Sequence, residues 1–225
     1  PKGEAAVVGQ EEEEPSKVRL WVSKLGRGRY VGHLEFMTVF HRAVRRAQLP
    51  IRYSGGFHPS PQISFPDALP TGVESECEII DLKLCHALPA EKLAAALNAE
   101  LPIGFSVERA KAIPWKTPAP SLCIAETIYR LPLPDSAPAD LAQRIARFLA
   151  AEEVQVMRLK KGREQQVEVR SGVNDVRLEG KALLLQLSKG SPTLLAGYLL
   201  DLPPEEAAAL GMRKTAVRLD VPPAE

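Results

Sequence analysis

The predicted fold starts from the stretch Val18-Arg19-Leu20-Trp21-Val22-Ser23-Lys24, in which apolar and polar side chains alternate. A period of two is typical of a β-strand that buries one face and exposes the other. We therefore expect a half-buried strand. The glycine-arginine stretch that follows, residues 25–30, predicts a loop that could cradle phosphate with its backbone N–H groups and with Arg27 and Arg29. It lacks the lysine and hydroxyl residue that end a nucleotide-binding P-loop, so the pattern does not predict ATP binding.

Residues 33–49 predict a helix with two distinct faces. An apolar stripe at helical spacing is formed by Leu34, Met37, Phe40, Val44 and Ala47. Another face carries Thr38, Arg42, Arg45 and Arg46. Charged helix faces are commonly just solvated, and these arginines could instead pair with Glu76 and Glu78. We favour an anion-binding face, because three arginines with only Glu35 nearby repel one another and because arginine matches phosphate geometry.

The other elements of the first half complete a known order. Short apolar runs predict strands over residues 62–65, 76–84 and 105–113, and an alanine- and leucine-rich segment predicts a helix over residues 89–101. The order strand, helix, strand, strand, helix, strand is that of a ferredoxin-like unit. Residues 114–120 contain three prolines and indicate a linker.

A rougher copy of this order follows the linker. Strands are predicted over residues 123–131, 154–160, 166–170, 182–188 and 213–220, and helices over 139–151, 192–200 and 204–210. We therefore expect an α+β chain of two tandem ferredoxin-like βαββαβ units with antiparallel sheets. Residues 1–16 would form a disordered acidic arm or linker, residues 17–118 a first unit with a basic surface, and residues 119–225 a diverged second unit.

The composition predicts a soluble protein without a membrane span. Of the 225 residues, 45% are hydrophobic and 25% are charged. No apolar run approaches the ~20 residues that cross a bilayer, and no signal peptide is recognised. The three cysteines, Cys77, Cys85 and Cys123, are too few and too scattered for a disulfide framework or a zinc site. These features favour a reduced, cytoplasmic location.

Positive charge is concentrated early in the chain. Residues 17–52 contain nine basic residues and one acid, Glu35, although the net charge of the whole chain is only +1. A local excess of this kind favours a polyanionic partner.

The stretch Ser54-Gly55-Gly56-Phe57-His58-Pro59-Ser60-Pro61 lies between the basic helix and a strand. Its glycines permit positive φ and its prolines stiffen the exit. Phe57 either plugs the core or serves as an anchor or stacking platform for a ligand. The predicted nucleic-acid-binding residues of the chain are Arg27, Arg29, Arg42, Arg45, Arg46, Arg52, Tyr53, Phe57 and His58.

His58 is also the candidate catalytic residue. Because histidine titrates near neutral pH, a loop histidine beside basic residues can act as a general acid or base in metal-independent RNA cleavage. One histidine is a weak pattern, however, and it favours binding over catalysis. None of the four histidines has a metal-ligand spacing, and we predict no metal and no cofactor.

Four ordered motifs resemble a known family. They span residues 32–37, 42–50, 53–61 and 69–78, and they read GHLEFM, RAVRRAQLP, YSGGFHPSP and LPTGVESECE. Over about residues 17–113 the chain resembles the radical-SAM-linked proteins, uncharacterised bacterial proteins encoded beside, or fused behind, a cobalamin-binding radical SAM protein. Gly32 and Glu35 replace the serine and aspartate of the family's Ser-His-Leu-Asp pattern.

The resemblance implies a cobalamin-binding radical SAM partner and an RNA-related pathway, but no activity. Our first hypothesis is a non-catalytic RNA-binding accessory domain that holds RNA through the basic helix and the Gly-Gly-Phe-His-Pro-Ser-Pro loop. The alternatives are a metal-independent RNA-processing enzyme that uses His58, and a protein-interaction module that docks the radical SAM partner. Tandem ferredoxin-like units are common in RNA-binding proteins, including CRISPR repeat-processing endoribonucleases, which is an analogy at the level of the fold.

Overall fold

The computed structural model of the chain describes residues 14–160 and 162–220. The strands are β1 (Ser16–Lys24), β2 (Ile63–Ser64), β3 (Glu74–Leu84), β4 (Phe105–Ile113), β5 (Ile124–Pro132), β6 (Gln155–Lys160), β7 (Arg163–Glu168), β8 (Val173–Glu179), β9 (Ala182–Leu187) and β10 (Arg213–Leu219). The helices are α1 (His33–Arg46), α2 (Ala90–Glu100), α3 (Pro120–Cys123), α4 (Leu141–Ala150), α5 (Pro192–Leu200) and α6 (Pro204–Ala209), and a 3-10 turn spans Gly26–Tyr30. The acidic arm predicted for residues 1–16 lies largely outside the described residues, and its last residue, Ser16, begins β1.

The described strands form a mostly antiparallel sheet in an α+β fold, as predicted. The strand order is β4-β1-β3-β10-β5-β9-β8, with the short β2 beside β3, while β6 and β7 form a separate hairpin. β10 pairs antiparallel with β5 and, through Arg213 and Lys214, parallel with Glu74 and Ser75 of β3. The two halves therefore share one continuous sheet, whereas the sequence predicted a sheet for each half.

Each half has its own hydrophobic core. The first core packs α1 and α2 against β1, β3 and β4, and the second packs α4, α5 and α6 against β5, β8 and β9. Leu69 and Val73, which precede β3 in the first half, belong to the second core. The segment before β3 therefore ties the two halves together. Among the described residues, no helix is both long and apolar enough to cross a membrane.

The predicted apolar stripe of α1 is right for Phe40 and Val44, but the buried face as a whole is rotated from it. The residues buried on the helix are Phe36, Phe40, Ala43 and Val44, whereas Leu34 is 77% exposed. Aromatic packing explains the difference: the Phe36 ring stacks on Phe105 of β4 at 5.5 Å, and the Phe40 ring meets Phe65 edge-on at 6.1 Å. These partners are distant in sequence, so a periodicity within the helix does not reveal them.

Strand β8 was missed by the sequence prediction. Its two inward side chains, Val173 and Val176, are buried, but most of its other residues are polar or charged. β8 lies at the edge of the sheet. Charged side chains on an edge strand discourage pairing with other chains, and they also hide the apolar alternation.

β1 is buried on both faces, so the prediction of a half-buried strand is wrong. Val18, Leu20 and Val22 face the helices, as expected, but on the other face Lys17 and Arg19 are only 5% and 2% exposed. The predicted linker covers that second face. The Lys17 ammonium donates to the carbonyl of Thr117 at 2.6 Å, and the Arg19 guanidinium donates to the carbonyl of Pro118 at 3.1 Å.

Asp81 of β3 is the counter-ion that these two buried cations share. The Nε and Nη2 groups of Arg19 donate to the two carboxylate oxygens of Asp81 at 2.7 and 2.9 Å. The Lys17 ammonium lies 3.1 Å from Oδ2 of the same carboxylate. The hydrogen bond to Asp81 raises the pKa of Arg19. Paired, hydrogen-bonded charges are the form in which ionised groups can be buried at acceptable cost. The three side chains therefore act as one unit, which we call the buried charge triad.

Removing the carboxylate of this triad is expected to destabilise the fold strongly. Asp81→Asn would leave Lys17 and Arg19 buried without a counter-charge, so we expect the free energy of unfolding to fall by about 3–5 kcal/mol in urea titrations at neutral pH. Asp175→Asn is the matched control, because it breaks a pair with Arg177 that lies at the surface and it should change little. Equal effects of the two substitutions would contradict the importance of the triad.

Candidate functional site

The loop that carries Phe57 and His58 is closed at its base by backbone pairing. The Ser54 N–H donates to the carbonyl of Ser60 at 2.9 Å, and the Ser60 N–H donates to the Ser54 hydroxyl at 3.0 Å. Below them, the Arg52 N–H donates to the carbonyl of Lys83 on β3 at 2.9 Å. Gly56 has φ +101°, a conformation that side-chain-bearing residues rarely adopt. The loop is therefore a defined projection from the sheet edge.

The tip of this loop projects into solvent. Phe57 is fully exposed, at 103% of its reference area, and Tyr53 is 54% exposed. His58 is also exposed. The alternative in which the Phe57 ring plugs the core is therefore wrong. Within the described residues no hydrogen bond or ion pair is made by the His58 side chain, so no second catalytic group is joined to it.

A tryptophan ring in cation–π contact with two basic side chains lies beside the base of the loop. The Arg52 guanidinium is 5.6 Å and the Lys83 ammonium 4.8 Å from the centre of the Trp115 ring. Trp115 is 38% exposed. The sequence prediction included Arg52 but missed Lys83 and Trp115. Only the position of Trp115 in a proline-rich segment, away from any periodic element, indicated that it is not a core residue.

The arginines of α1 differ in their partners. Arg42 and Arg45 are exposed and, in the part of the chain that the structure describes, make no ion pair. Arg46 is held by Glu100 at the end of α2, with its Nε 2.8 Å from a carboxylate oxygen. Two of the predicted site arginines on this helix are therefore available to a ligand, and the third is already occupied.

The pairing of these arginines with Glu76 and Glu78 is wrong. Glu76 accepts from Arg213 at 2.9 Å, and Glu78 pairs with Lys214 at 2.9 Å, both across the junction between β3 and β10. Glu74 also binds Arg213, at 2.6 Å. β10 therefore supplies an ion-pair partner to each of the three carboxylates.

Two backbone N–H groups of the turn that carries Arg27 and Arg29 already have partners. The Gly26 N–H donates to the Glu74 carboxylate at 2.8 Å, and the Gly28 N–H donates to the carbonyl of Leu25 at 2.9 Å. Arg27 is exposed, while the Arg29 guanidinium lies 5.1 Å from the Tyr30 ring. These two N–H groups are therefore not available to a phosphate.

The predicted site residues fall into separate groups. Arg52, Tyr53, Phe57 and His58 lie on one loop, which we call the aromatic loop. No hydrogen bond, ion pair or ring contact among the described residues joins this loop to Arg42, Arg45, Arg27 or Arg29. Three of the nine basic residues counted in the sequence, Lys17, Arg19 and Lys24, are buried and cannot contribute to a surface charge.

Burial controls the chemistry of the groups at the junction. Burial raises the pKa of the Cys77 thiol to about 11 and raises the pKa of Tyr129 as well. Both groups are therefore neutral at pH 7, which excludes Cys77 as a ready nucleophile. Among the described residues, no cluster of His, Cys, Asp and Glu side chains could hold a metal ion.

The raised pKa of Cys77 predicts the order in which two cysteines react with an alkylating reagent. At pH 8 a thiol with a pKa of about 11 is ionised in about one molecule in a thousand, so iodoacetamide should modify the exposed Cys85 well before Cys77. Peptide mass spectrometry of briefly labelled native protein measures this order. In urea, where burial is lost, the two rates should converge. Equal rates in the native protein would contradict the assigned environment.

Comparison with known proteins identifies the family of the chain. A search of curated proteins found no match. A family model described as an uncharacterised protein conserved in bacteria, DUF2344, matches residues 17–196. The match includes β1 to β9 and the aromatic loop and ends within α5, so β10 lies outside it. The chain therefore belongs to the DUF2344 family of uncharacterised bacterial proteins.

Proposed function

We propose that this protein is a non-catalytic accessory domain that binds single-stranded RNA on the aromatic loop. The observation that carries the proposal is the full exposure of Phe57 at the tip of a loop whose base is tied to the sheet. Burying a phenylalanine side chain is worth about 1.5–3 kcal/mol, so a soluble domain gains nothing from leaving one fully in water. A base stacked on such a ring recovers about 1–3 kcal/mol.

Cations beside the loop support a nucleic-acid ligand. Arg52 and Lys83 lie on the Trp115 ring, which places two positive charges and a second aromatic surface near the loop base. Bases stack on aromatic rings whatever their sequence, while nearby arginines and lysines contact the phosphates. Arg42 and Arg45 add unpaired charge for an RNA that extends to α1.

We also propose that each half is a ferredoxin-like unit. The first half has the order β4-β1-β3-β2, and the second has the same order in β10-β5-β9-β8, with β6 and β7 as an inserted hairpin. This arrangement of four strands is the one that a βαββαβ chain produces. The architecture recurs in RNA-binding proteins, and this supports the proposal by analogy only.

The partner that we propose is a cobalamin-binding radical SAM protein in the same bacterial cytoplasm. The resemblance of the four motifs supports this proposal, and the free cysteines suit a reducing compartment. In this arrangement the present chain holds the RNA and the partner carries out the radical chemistry.

The proposed function predicts a specific loss of RNA affinity in Phe57→Ala. Fluorescence anisotropy with a mixed-sequence single-stranded RNA should show binding at low salt, weakened about 5- to 150-fold by the loss of one stacked base. Ile103→Ala is the matched control, because Ile103 is equally exposed, at 99%, but lies between α2 and β4. Arg52→Gln should lower the slope of log affinity against log salt by about 0.7, the value for one lost phosphate contact.

Other results would replace this proposal with one of its alternatives. Absence of RNA binding at low salt would overturn it, and nuclease-insensitive capture of the radical SAM partner would then favour a docking module. Cleavage of the bound RNA that disappears in His58→Ala would identify a metal-independent RNA-processing enzyme instead.

A further inference from the structure

A cleft of about 530 Å³ lies between the two halves of the chain. Its lining includes the segment before β3, residues 66–71, and the connection from β9 to α5, residues 188–193. Tyr129 of β5, Lys214 of β10 and His33, the first residue of α1, also line it. The volume lies in the range of about 300–1,000 Å³ that small-molecule sites occupy.

The charged side chains of the cleft favour an anion. Arg158 from the β6–β7 hairpin and Lys189 are exposed and, in the described parts of the chain, make no ion pair. Lys214 is already neutralised by Glu78. Asp67 is the one carboxylate in the described lining. Two unpaired cations against one carboxylate leave the cleft with an excess of positive charge.

The polar groups of the lining suit an oxygen-rich ligand. The hydroxyl-bearing residues Thr71, Thr127, Tyr129, Ser188 and Thr193 line the cleft, and the Ser188 and Thr193 hydroxyls also have partners within the protein. Tyr129 is protonated at neutral pH like an ordinary tyrosine, and burial raises its pKa further, so its hydroxyl can donate a hydrogen bond. In the first turn of α5, the Leu194 N–H is already paired with the Ser191 hydroxyl at 3.4 Å.

Apolar surface lies next to these polar groups. Pro66, Pro70, Leu187 and Pro192 present carbon surface in the same lining. A mixture of apolar walls and a few convergent polar groups is typical of sites for organic ligands rather than for simple ions. A ligand with a planar or apolar part and a phosphate group satisfies both features.

We propose that this cleft binds a phosphate-bearing small molecule of nucleotide size, with its phosphate held by Arg158 and Lys189. This site is separate from the aromatic loop and goes beyond the proposed RNA binding. The ligand could be a free nucleotide or the phosphorylated end of an RNA strand, since both present the same group. Residues from both halves form the site, so the bound ligand also stabilises the junction.

Calorimetry and thermal unfolding of the intact chain test this proposal. The probes are the four ribonucleoside 5′-monophosphates, the matching nucleosides, inorganic phosphate, and one oligoribonucleotide with a 5′-phosphate or a 5′-hydroxyl end. At least one monophosphate should bind and raise the Tm, whereas its nucleoside should bind about tenfold more weakly or not at all. Preference for the 5′-phosphorylated oligonucleotide over both the 5′-hydroxyl strand and the monophosphates would assign the site to RNA ends.

Substitutions locate the binding and separate it from the aromatic loop. Arg158→Gln and Lys189→Gln should each weaken the monophosphate by about tenfold or more, while Lys92→Gln, an exposed lysine of α2 outside the cleft, should not. Phe57→Ala should leave monophosphate binding unchanged, so failure of the RNA proposal does not affect this one. Binding of no phosphorylated probe, or binding that is insensitive to both cleft substitutions, would overturn it.

Discussion

Asp81 lies between two cations, Lys17 and Arg19, in a part of the sheet from which water is excluded. The cations in turn donate to carbonyl groups of the segment after β4, so the carboxylate, the two strands and that segment must be in place together. The proline-rich stretch of residues 114–120 is thereby fixed over the sheet. Trp115 belongs to this stretch, and its position beside Arg52 and Lys83 depends on the triad. The ion pairs of the buried charge triad thus help to position the Trp115 ring at the surface.

The junction between the halves repeats this principle with different residues. Glu74, Glu76 and Glu78 of β3 form ion pairs with Arg213 and Lys214 of β10. Only two residue pairs join these strands in parallel, so side-chain ion pairs supplement a short backbone ladder. Leu69 and Val73 add apolar contacts with the second core. The cleft lies beside this junction, which explains why its lining draws on both halves.

Local patterns in the sequence predicted most helices and strands and the α+β class. They failed where distant partners decide the outcome. Apolar and polar side chains do alternate in β1, yet the polar face is buried because Asp81 and the segment after β4 cover it. The buried face of α1 is rotated from the predicted stripe because the rings of Phe65 and Phe105 pack against Phe40 and Phe36. For the site, the glycines and prolines predicted a shaped loop, but its sequence could not decide whether Phe57 points inward or outward. The cleft was not predicted, because its residues come from segments more than a hundred positions apart.

The insertion of β10 between β3 and β5 has a consequence for biosynthesis. β10 leaves the ribosome about a hundred residues after β4, which corresponds to roughly 5–20 s at bacterial rates of translation. During that interval the edges of β3 and β5 that receive β10 have no partner, since β2 pairs only with Asp81 and Leu82 of β3. Unpaired strand edges attract other strands. The nascent first half therefore passes through a period in which the start of β3, Glu74 and Ser75, lacks the strand that pairs with it in the finished fold, and the arrival of β10 ends that period.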